Sequence, residues 1–559
     1  MEKVWLKHYE PGVPPSIDYP ALSLYEIFQK TAEKYKENQA VHFMGRELSY
    51  GALAAEAESL AAALADLGVK KGDRVAIHLP NSTQFPIAYF AALSIGAIVV
   101  PCNPLYVARE MEYQLKDSGA ETIITLTRFY KMIKEIQPKT DLKNIIVSNI
   151  KDYFPGMLSF LYTVAKEKKE GDRVELTAGD HSFTDLTKKY AGKKPPLIEV
   201  KPEDRALFLY TGGTTGVSKG AVLQHRNLVA NMYQVKAWCT DYEDGKEVIL
   251  GVLPFFHSYG LTTILNLGLL NGGKLVLLPR FVLEDALKTI DKQKPTLFPG
   301  VPTIYVAINN APNLEKYDIK SIRVCISGAA PLPVEVQQQF EKNTGGKLVE
   351  GYGLSETSPV THANPVYGKR KPGSIGLPMP DTEFKIVDVE TGETEMPIGE
   401  IGEICLRGPQ VMEGYLNMPD ETANSIRDGW FFTGDIAKAD EEGYAYIVDR
   451  KKDMVIAGGF NIYPRDIEEV LYTHPKILEA AVAGINDPYR GETLKAYIVL
   501  KEGESMTEEE VFEHCKKNLA AYKVPKLVAF KDELPKTMIG KVLRRMLREE
   551  EDQKNQAGS

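Results

Sequence analysis

A glycine-rich stretch at residues 210–220 has the composition to bind a charged ligand. It reads YTGGTTGVSKG, so four glycines and four small hydroxyl residues accompany a single lysine. Glycine lets the backbone curl until several N–H groups converge on an anion, and the hydroxyl groups add donors. The stretch therefore predicts a phosphate-binding loop. It differs from the common P-loop, which ends in Gly-Lys-Ser/Thr, because Lys219 follows Ser218 and precedes Gly220. A flexible glycine-rich hairpin is the alternative.

Two more loops follow strand-like segments further along the chain. The turn at 327–331 comes after SIRVCIS, and the loop at 351–357 belongs to KLVEGYGLSET. Ligands of open α/β sheets gather at the carboxyl ends of strands. We therefore expect these two loops and the glycine-rich stretch to face one crevice.

The elements that position these loops repeat one design. Segments 74–104 and 248–279 each contain an apolar strand ending in Leu-Pro, a helix, a glycine turn and a second apolar strand. Both predict βαβ units. Strands that are apolar along their whole length belong in sheets covered on both faces, so the sequence predicts an α/β fold with two related layered sheets. The glycine-rich stretch lies between a strand candidate at 205–210 and a helix candidate at 225–239.

The chain changes character from about residue 376, where short strands and frequent turns predict a β-rich subdomain. After the charged run DRKKD (449–453), alternating helices and strands predict a small α+β domain. We expect a large N-terminal domain at 1–450, a small mobile C-terminal domain at 451–547, and a disordered tail at 548–559.

Composition excludes several classes of protein. The chain has 559 residues and a net charge of −9, which argues against general affinity for nucleic acid. Its five cysteines are scattered and never spaced as CxxC, so we expect neither a zinc site nor disulfides. We expect no signal peptide and no membrane span. The stretch 156–173, GMLSFLYTVAKEKKEGDR, reads as a solvated insertion or as a short amphipathic helix at a membrane surface.

Seven stretches, in their order along the chain, resemble the motifs of the adenylate-forming superfamily, and within it the bacterial long-chain fatty acyl-CoA ligases. They are YTGGTTGVSKGA (210–221), LPFFHSYG (253–260), SGAAPLP (327–333), GYGLSETSP (351–359), GEICLRGPQVMEGY (402–415), FFTGDIAKADEEGYAYIVDRKKDMVIAGGFNIYP (431–464) and LPKTMIGKVLRR (534–545). The resemblance implies that a carboxylate attacks the α-phosphate of ATP, giving acyl-AMP and pyrophosphate, and that the thiol of coenzyme A then displaces AMP. A carboxylate is repelled by a polyphosphate, so the site must supply positive charge and oriented donors.

The resemblance also implies the nucleotide contacts. The glycine-rich stretch would hold the β- and γ-phosphates, and Glu356 would bind Mg²⁺ with help from the hydroxyl of Thr211, both as catalytic groups. Tyr352 would stack on adenine, Asp435 would accept from the ribose hydroxyls, and Arg450 would reach the ribose or the α-phosphate. Taken alone, Glu356 would be a solvated charge and Tyr352 a packed aromatic. The implied ATP-binding residues are Thr211, Gly212, Gly213, Thr214, Thr215, Gly216, Lys219, Gly328, Ala329, Ala330, Gly351, Tyr352, Gly353, Thr357, Asp435, Arg450 and Lys541.

By the same resemblance, Lys541 is the catalytic lysine of the adenylation step, and the neighbouring Arg544 and Arg545 look solvated. The C-terminal domain is implied to rotate about a hinge at Lys452. A loop containing Gly458, Gly459 and Phe460 then replaces Lys541 and lines the channel for coenzyme A. His257 and Gly300 are assigned to the acyl pocket. The uncharged segment 259–270 would wall that pocket, or is only a buried helix.

Alternatives to fatty acid ligation stay open at this point. A ligase for aryl or hydroxycinnamic acids would need the same catalytic groups, while a noncatalytic ATP- or acyl-binding protein and a P-loop kinase fit the motifs less well. The expected partners are fatty acid, ATP and coenzyme A, with Mg²⁺ as cofactor and no nucleic acid. We expect a cytoplasmic monomer or homodimer, with peripheral contact at the inner face of the membrane as an added expectation.

Overall fold

The computed structural model describes residues 3–211, 218–457, 460–487, 491–537 and 540–557. Over these ranges the chain divides into two compact units. The larger comprises Trp5–Glu383 and Arg407–Phe431, and the smaller comprises Met1–Val4, Phe384–Leu406 and Phe432–Ser559. The predicted domain boundary at residue 450 therefore lies inside the smaller unit.

Both predicted βαβ units form in the larger unit, each in its own sheet. Strands and helices are numbered here along the chain. One sheet contains β1 (Gln39–Phe43), β2 (Arg46–Ser49), β10 (Val248–Gly251) and β11 (Lys274–Leu277), in the order β10-β11-β1-β2. It continues through Leu297, which bridges Ile249 and Val324, towards β12 (Val324–Ser327), β13 (Lys347–Gly353), β14 (Val360–Ala363) and β15 (Leu377–Pro378).

The other sheet of the larger unit contains the βαβ unit of residues 74–104 and the two strands that flank the glycine-rich loop. Its strands are β3 (Arg74–His78), β4 (Ile98–Pro101), β5 (Thr122–Leu126), β6 (Asn144–Ser148), β7 (His181–Ser182), β8 (Arg205–Thr211), β9 (Lys219–Gln224) and β18 (Gly414–Tyr415). They lie in the order β18-β9-β8-β4-β3-β5-β6-β7, and β3 pairs in parallel with β4 as β10 does with β11. The mixed α/β architecture confirms the predicted fold class.

Helices cover these sheets because their apolar side chains pack onto the strands. Those of the larger unit are α1 (Leu24–Lys34), α2 (Tyr50–Asp66), α3 (Gln84–Ser94), α4 (Ala108–Ser118), α5 (Tyr130–Ile136), α6 (Gly156–Ala165), α7 (Phe183–Lys189), α8 (His225–Trp238), α9 (Ser258–Gly260), α10 (Leu267–Leu269), α11 (Leu283–Gln293), α12 (Pro302–Asn309), α13 (Val334–Thr344) and α14 (Pro419–Ser425). A buried π-helical turn, Leu261–Asn266, joins α9 to α10. None of the helices that the structure describes has the length and apolar character needed to span a bilayer.

Short strands dominate after residue 376, as predicted. These are β16 (Glu383–Val387), β17 (Gly402–Arg407), β19 (Ile426–Arg427), β20 (Trp430–Ala439) and β21 (Ala445–Arg450). The C-terminal segment forms β22 (Val455–Ala457), β23 (Phe460–Ile462), β24 (Ile477–Asp487), β25 (Gly491–Leu500) and β26 (Leu527–Phe530), with α15 (Pro464–Tyr472), α16 (Glu508–Asn518) and α17 (Arg544–Ala557). A capping box between Thr507 and Glu510 begins α16.

The prediction of a disordered tail at 548–559 is wrong for the residues that the structure describes, because α17 continues to Ala557. Side chains of this helix reach the sheet of the smaller unit. Leu547 is fully buried, Glu550 pairs with Lys531, and Glu551 pairs with Lys495 at 2.8 Å. These contacts hold a helix whose polar composition resembles a tail.

The five cysteines are buried, and none of them forms a disulfide. Burial raises the pKa of the Cys102, Cys239, Cys325 and Cys515 thiols.

Candidate active site

The glycine-rich stretch connects two antiparallel strands, β8 and β9. The expected order of strand, loop and helix is therefore corrected, because strand β9 lies between the loop and the helix. Residues 219–224 form β9, which runs antiparallel to β8 and pairs Lys219 with Thr211. The Oγ of Ser218 donates to the carbonyl of Thr211 at 2.7 Å, and the hydroxyl of Tyr113 donates to the carbonyl of Ser218 at 2.8 Å. Both ends of the loop are thereby fixed. Gly212, Gly213, Thr214, Thr215 and Gly216 lie outside the described residues, and their roles stay predictions.

Glu356 lies in a 3₁₀ turn, Ser355–Thr357, and its carboxylate is held by a tyrosine that we did not predict. The hydroxyl of Tyr415 donates to Oε1 of Glu356 at 2.8 Å, and the backbone N–H of Met412 donates to the Glu356 carbonyl at 2.7 Å. Burial, and then the Glu356 charge, raise the pKa of Tyr415. Tyr415 therefore keeps its proton and acts as a donor.

Lys219 belongs to the same group of side chains. Its Nζ lies 2.9 Å from Oε2 of Glu421 and 5.3 Å from the ring centroid of Tyr415. Strand pairing explains the proximity, because β18 places Tyr415 opposite Ala221 on β9. Lys219, Tyr415, Glu356 and Glu421 form one group, here called the hairpin cluster. The motif ending in EGY contains Tyr415, so the sequence held a signal for it, whereas Glu421 lies beyond that motif.

The predicted adenine side consists of the ends of β12 and β13. Ala329 has a φ of +67°, which an L-residue rarely adopts, and a Cβ at Gly328 would lie 3.0 Å from the ring of Tyr259. The Tyr352 ring is half-buried, with its centroid 6.2 Å from that of His362. Ala330 follows Ala329 directly, beyond the end of β12.

Packing explains three of the predicted nucleotide-binding residues. A Cβ at Gly353 would lie 2.0 Å from the carbonyl oxygen of Pro359, and one at Gly351 would lie 2.9 Å from Ile326. Thr357 is fully buried, and its hydroxyl donates to the Pro359 carbonyl at 2.6 Å. The Thr357 side chain is therefore bonded within the turn that carries Glu356, and its contact with the nucleotide stays a prediction.

Of the two predicted acyl-pocket residues, His257 lies near the turn that carries Glu356. His257 is half-buried, and its Nδ1 accepts from the backbone N–H of Tyr259 at 3.2 Å. The next residue, Ser258, has its Oγ 3.2 Å from that of Ser355. At Gly300 an added Cβ would lie 2.7 Å from the hydroxyl of Tyr305, so the space beside this glycine is filled by the tyrosine.

The smaller unit brings together Asp435, Arg450, Lys452 and Lys541. Asp435 and Arg450 are opposite each other on β20 and β21, with Nε and Oδ1 3.4 Å apart. Burial, together with the charges of Arg450 and Lys452, lowers the pKa of Lys541 to about 7, although Asp435 and Asp453 act in the opposite direction. Burial and Arg450 likewise lower the pKa of Lys452 to about 8.

The prediction that Arg544 is solvated is wrong. Its guanidinium lies 3.2 Å from Asp449, 3.2 Å from Asp453 and 2.7 Å from Glu468, with 16% of its side chain exposed. These carboxylates raise its pKa. Arg545 is exposed and pairs with Glu549 one turn later, as predicted. Arg544 thus joins both ends of the DRKKD run to α15.

The predicted coenzyme A channel falls mostly outside the described residues, which include neither Gly458 nor Gly459. Phe460 begins β23, whose backbone pairs antiparallel with β22. The channel assignment stays a prediction.

Comparisons with known proteins cover nearly the whole chain. A family model described as AMP-binding enzyme matches residues 28–416, and one for the AMP-binding enzyme C-terminal domain matches residues 466–541. The chain is 48% identical over 551 residues to the Long-chain-fatty-acid--CoA ligase of Bacillus subtilis (strain 168), which covers 98% of both chains. It is 40% identical over 560 residues to the protein of that name from Yersinia pestis, with 99% of this chain and 98% of that protein covered. The crystal structure of ATP-bound MatB from Rhodopseudomonas palustris matches with a TM-score of 0.83 and 32% identity, over 94% of this chain and 99% of that one.

Proposed function

Because this chain belongs to the family of AMP-binding enzymes, we propose that it ligates medium- to long-chain fatty acids to coenzyme A. The observation that carries the proposal is the full-length similarity to bacterial proteins named long-chain-fatty-acid–CoA ligase. In the first step a carboxylate oxygen bonds to the α-phosphorus of ATP, and the bond to pyrophosphate breaks. In the second step the sulfur of coenzyme A bonds to the acyl carbon, its proton is released, and AMP leaves.

The hairpin cluster would receive the triphosphate. Lys219 supplies a positive charge at the base of the loop, and the described end of the loop presents the Thr211 hydroxyl. Glu421 balances Lys219 in this structure, so an anionic ligand competes with that carboxylate for the lysine. The role of Lys219 is secondary to that of the loop amides in this proposal.

Magnesium fits the donors of the hairpin cluster. Among the described residues no group of three His, Cys, Asp or Glu side chains forms a metal site. A Mg²⁺ ion that binds with a nucleotide takes several ligands from phosphate and water, so one carboxylate is enough. Glu356 would hold it through Oε2, which accepts no hydrogen bond from a described residue, and Thr211 would assist. Such an ion would neutralise charge on the phosphates.

Lys541 would provide the charge for the first step. An ammonium group on a flexible stem can follow the charge that develops as the carboxylate bonds to phosphorus. Asp435 would accept from the ribose hydroxyls, and Arg450, which is adjacent to it, would reach the ribose or the α-phosphate. Tyr352 would stack on adenine.

Two steps at one site require different groups in turn. We infer that the segment 451–547 rotates about Lys452 after the first step, exchanging Lys541 for the loop at 457–461. Asp449 and Asp453 flank this pivot and are bound by Arg544. The five buried cysteines form no disulfide, which supports a reducing, cytoplasmic location. A lipid substrate supports peripheral contact with the inner face of the membrane.

Pyrophosphate exchange is the direct test of the proposed chemistry. Purified protein with Mg²⁺, ATP and palmitate, but without coenzyme A, should exchange labelled pyrophosphate into ATP. Addition of coenzyme A should then give AMP and palmitoyl-CoA in equal amounts. Exchange with cinnamates and with no C8 to C18 acid would contradict the proposed substrate, and a lack of exchange with every organic acid would contradict the proposed reaction.

A further inference from the structure

Helix α6 exposes an apolar face that no part of the proposed site uses. Met157 is 74% exposed, Phe160 64%, Leu161 53% and Val164 72%. Residues spaced by three, four and seven positions lie on one side of an α-helix. The helix, Gly156–Ala165, contains no charged residue. These four side chains, here called the α6 face, therefore form a continuous apolar stripe.

The opposite side of α6 is attached to the larger unit. The hydroxyl of Tyr162 donates to Oδ2 of Asp172 at 2.5 Å, and its ring packs edge-on against Phe154 with centroids 5.6 Å apart. Nζ of Lys151 donates to Oγ1 of Thr163 at 2.8 Å. The α6 face is thus presented to solvent by a helix that is held in place.

Charges beside the helix are sorted by sign. Glu167 and Asp172 are buried and pair with Lys151 and Arg128, each at 2.6 Å. The exposed charged residues of the following loop, 166–180, are Lys166, Lys168, Lys169, Glu170, Arg173 and Glu175. Four of these six are cations. The α6 face therefore adjoins a surface of positive charge.

We propose that the α6 face docks the protein on an anionic lipid bilayer, with its four apolar side chains among the acyl chains and the lysines at the headgroups. Short helices with one apolar side and cationic neighbours bind at such interfaces. This inference rests on the proposed function in one respect, since a long-chain fatty acid resides in the bilayer. A second protein chain is disfavoured, because a stable interface needs about 800 Å² from each partner, more than one face of a ten-residue helix supplies.

Vesicle flotation of the full chain tests the docking surface. The probes are vesicles of phosphatidylcholine alone and of phosphatidylcholine with 30% phosphatidylglycerol (about one lipid in three). We expect binding to the anionic vesicles that weakens as salt rises. The variant Met157→Gln/Phe160→Gln/Leu161→Gln/Val164→Gln should lower the partition coefficient at least about tenfold. The variant Lys166→Gln/Lys168→Gln/Lys169→Gln should lose the preference for anionic lipid.

A matched control removes exposed groups of the same types from the smaller unit. Leu478→Gln/Lys516→Gln/Lys517→Gln should partition as the unmodified chain does, and circular dichroism should match in all variants. Equal partition of the α6 variant and the unmodified chain would overturn the proposal. So would an α6-dependent dimer that binds no vesicle, which would identify a second copy as the occupant.

Activity separates this proposal from the proposed function. With octanoate, a water-soluble acid, and no vesicles, the α6 variant should exchange pyrophosphate at the rate of the unmodified chain. Flotation does not depend on catalysis, so a chain without ligase activity that still floats through α6 would contradict only the proposed function. Loss of octanoate exchange in a correctly folded α6 variant would assign the face to the active site and overturn the docking proposal.

Discussion

Tyr415 and Glu356 show how one hydrogen bond can orient a carboxylate, here the one that we propose as the Mg²⁺ ligand. The tyrosine hydroxyl donates to Oε1 of Glu356. This hydrogen bond restricts rotation of the carboxylate and so fixes the direction of Oε2. Because the pKa of Tyr415 is raised by burial and by Glu356, this donor persists across the physiological pH range. The hydroxyl acts through Glu356 and is a positioning group.

Removal of the Tyr415 hydroxyl should weaken the binding of Mg²⁺ and lower the activity with MgATP. Hydrogen bonds to charged groups contribute about 1.5–3 kcal/mol, so Tyr415→Phe should lower kcat/KM for MgATP in pyrophosphate exchange by about 10- to 100-fold. Half-saturation by Mg²⁺ should rise with it. Tyr19→Phe is the matched control, since Tyr19 donates to the carboxylate of Asp381 at the same 2.8 Å distance. An unchanged Mg²⁺ dependence in Tyr415→Phe would assign the bond a purely structural role.

The protonation of Lys541 should set an alkaline limit to the first step. The acting form is the ammonium, and burial with Arg450 and Lys452 lowers its pKa to about 7. As pH rises through that value the charged fraction falls, so kcat/KM for ATP in the exchange reaction should fall above about pH 7. Lys452→Gln removes one charge that repels the Lys541 ammonium, so the pKa of Lys541 should rise. The alkaline decrease in kcat/KM should then move to higher pH.

Lys451→Gln is the control for that pH profile. Lys451 pairs with Glu403 at 3.0 Å and is not among the charges that lower the pKa of Lys541. Its profile should coincide with that of the unmodified chain. If the alkaline decrease in kcat/KM of Lys452→Gln stays at the same pH or moves to lower pH, the assigned effect of Lys452 on the pKa of Lys541 is contradicted.

At the scale of elements, Arg544 ties α17 to the DRKKD run and to α15. Replacement by methionine leaves Asp449, Asp453 and Glu468 without their common partner, and breaking a buried ion pair costs about 3–5 kcal/mol. Arg544→Met should therefore lower the free energy of unfolding of the smaller unit by about 3 kcal/mol, measured by urea denaturation. Arg545→Met, at an exposed pair, should change it by less than about 0.5 kcal/mol. Equal midpoints for the two variants would contradict the assignment.

Local patterns predicted which elements exist but not every partner. Apolar runs with glycine turns were sufficient for both βαβ units and the β-rich region. Strand β9 was not predicted, because KGAVLQ follows a glycine-rich run and its strand character depends on pairing with β8. Arg544 and α17 were misread because their composition is polar, and their burial depends on acids and lysines far away in sequence.

The candidate site divides in the same way. Glu356, Asp435, Arg450 and Lys541 lie in motifs that a resemblance can identify, and the structure gives the last three a common neighbourhood. Tyr415 acts on a residue 59 positions away through strand pairing, which no local pattern encodes. Gly351, Gly353 and Thr357 lie in a motif as well, yet packing alone accounts for the lack of a side chain at the two glycines and for the buried hydroxyl of Thr357.

For the whole molecule, the two half-reactions should depend on different groups. Lys541→Ala should abolish formation of acyl-AMP, a loss of at least about 100-fold, because no other group replaces its charge in the first step. Thioester formation from supplied acyl-AMP and coenzyme A should stay within about threefold of the unmodified rate. Rapid-quench measurement of each step tests this. An equal loss in both steps would refute the proposed exchange of Lys541 for the loop at 457–461.

Buried thiols leave the native chain nearly inert to maleimide dyes, since the thiolate is the reactive form and burial disfavours it. Fluorophores can therefore be attached at two engineered surface cysteines, one in each unit, without replacement of the native cysteines. Energy transfer between the dyes during turnover would then test the proposed rotation in real time.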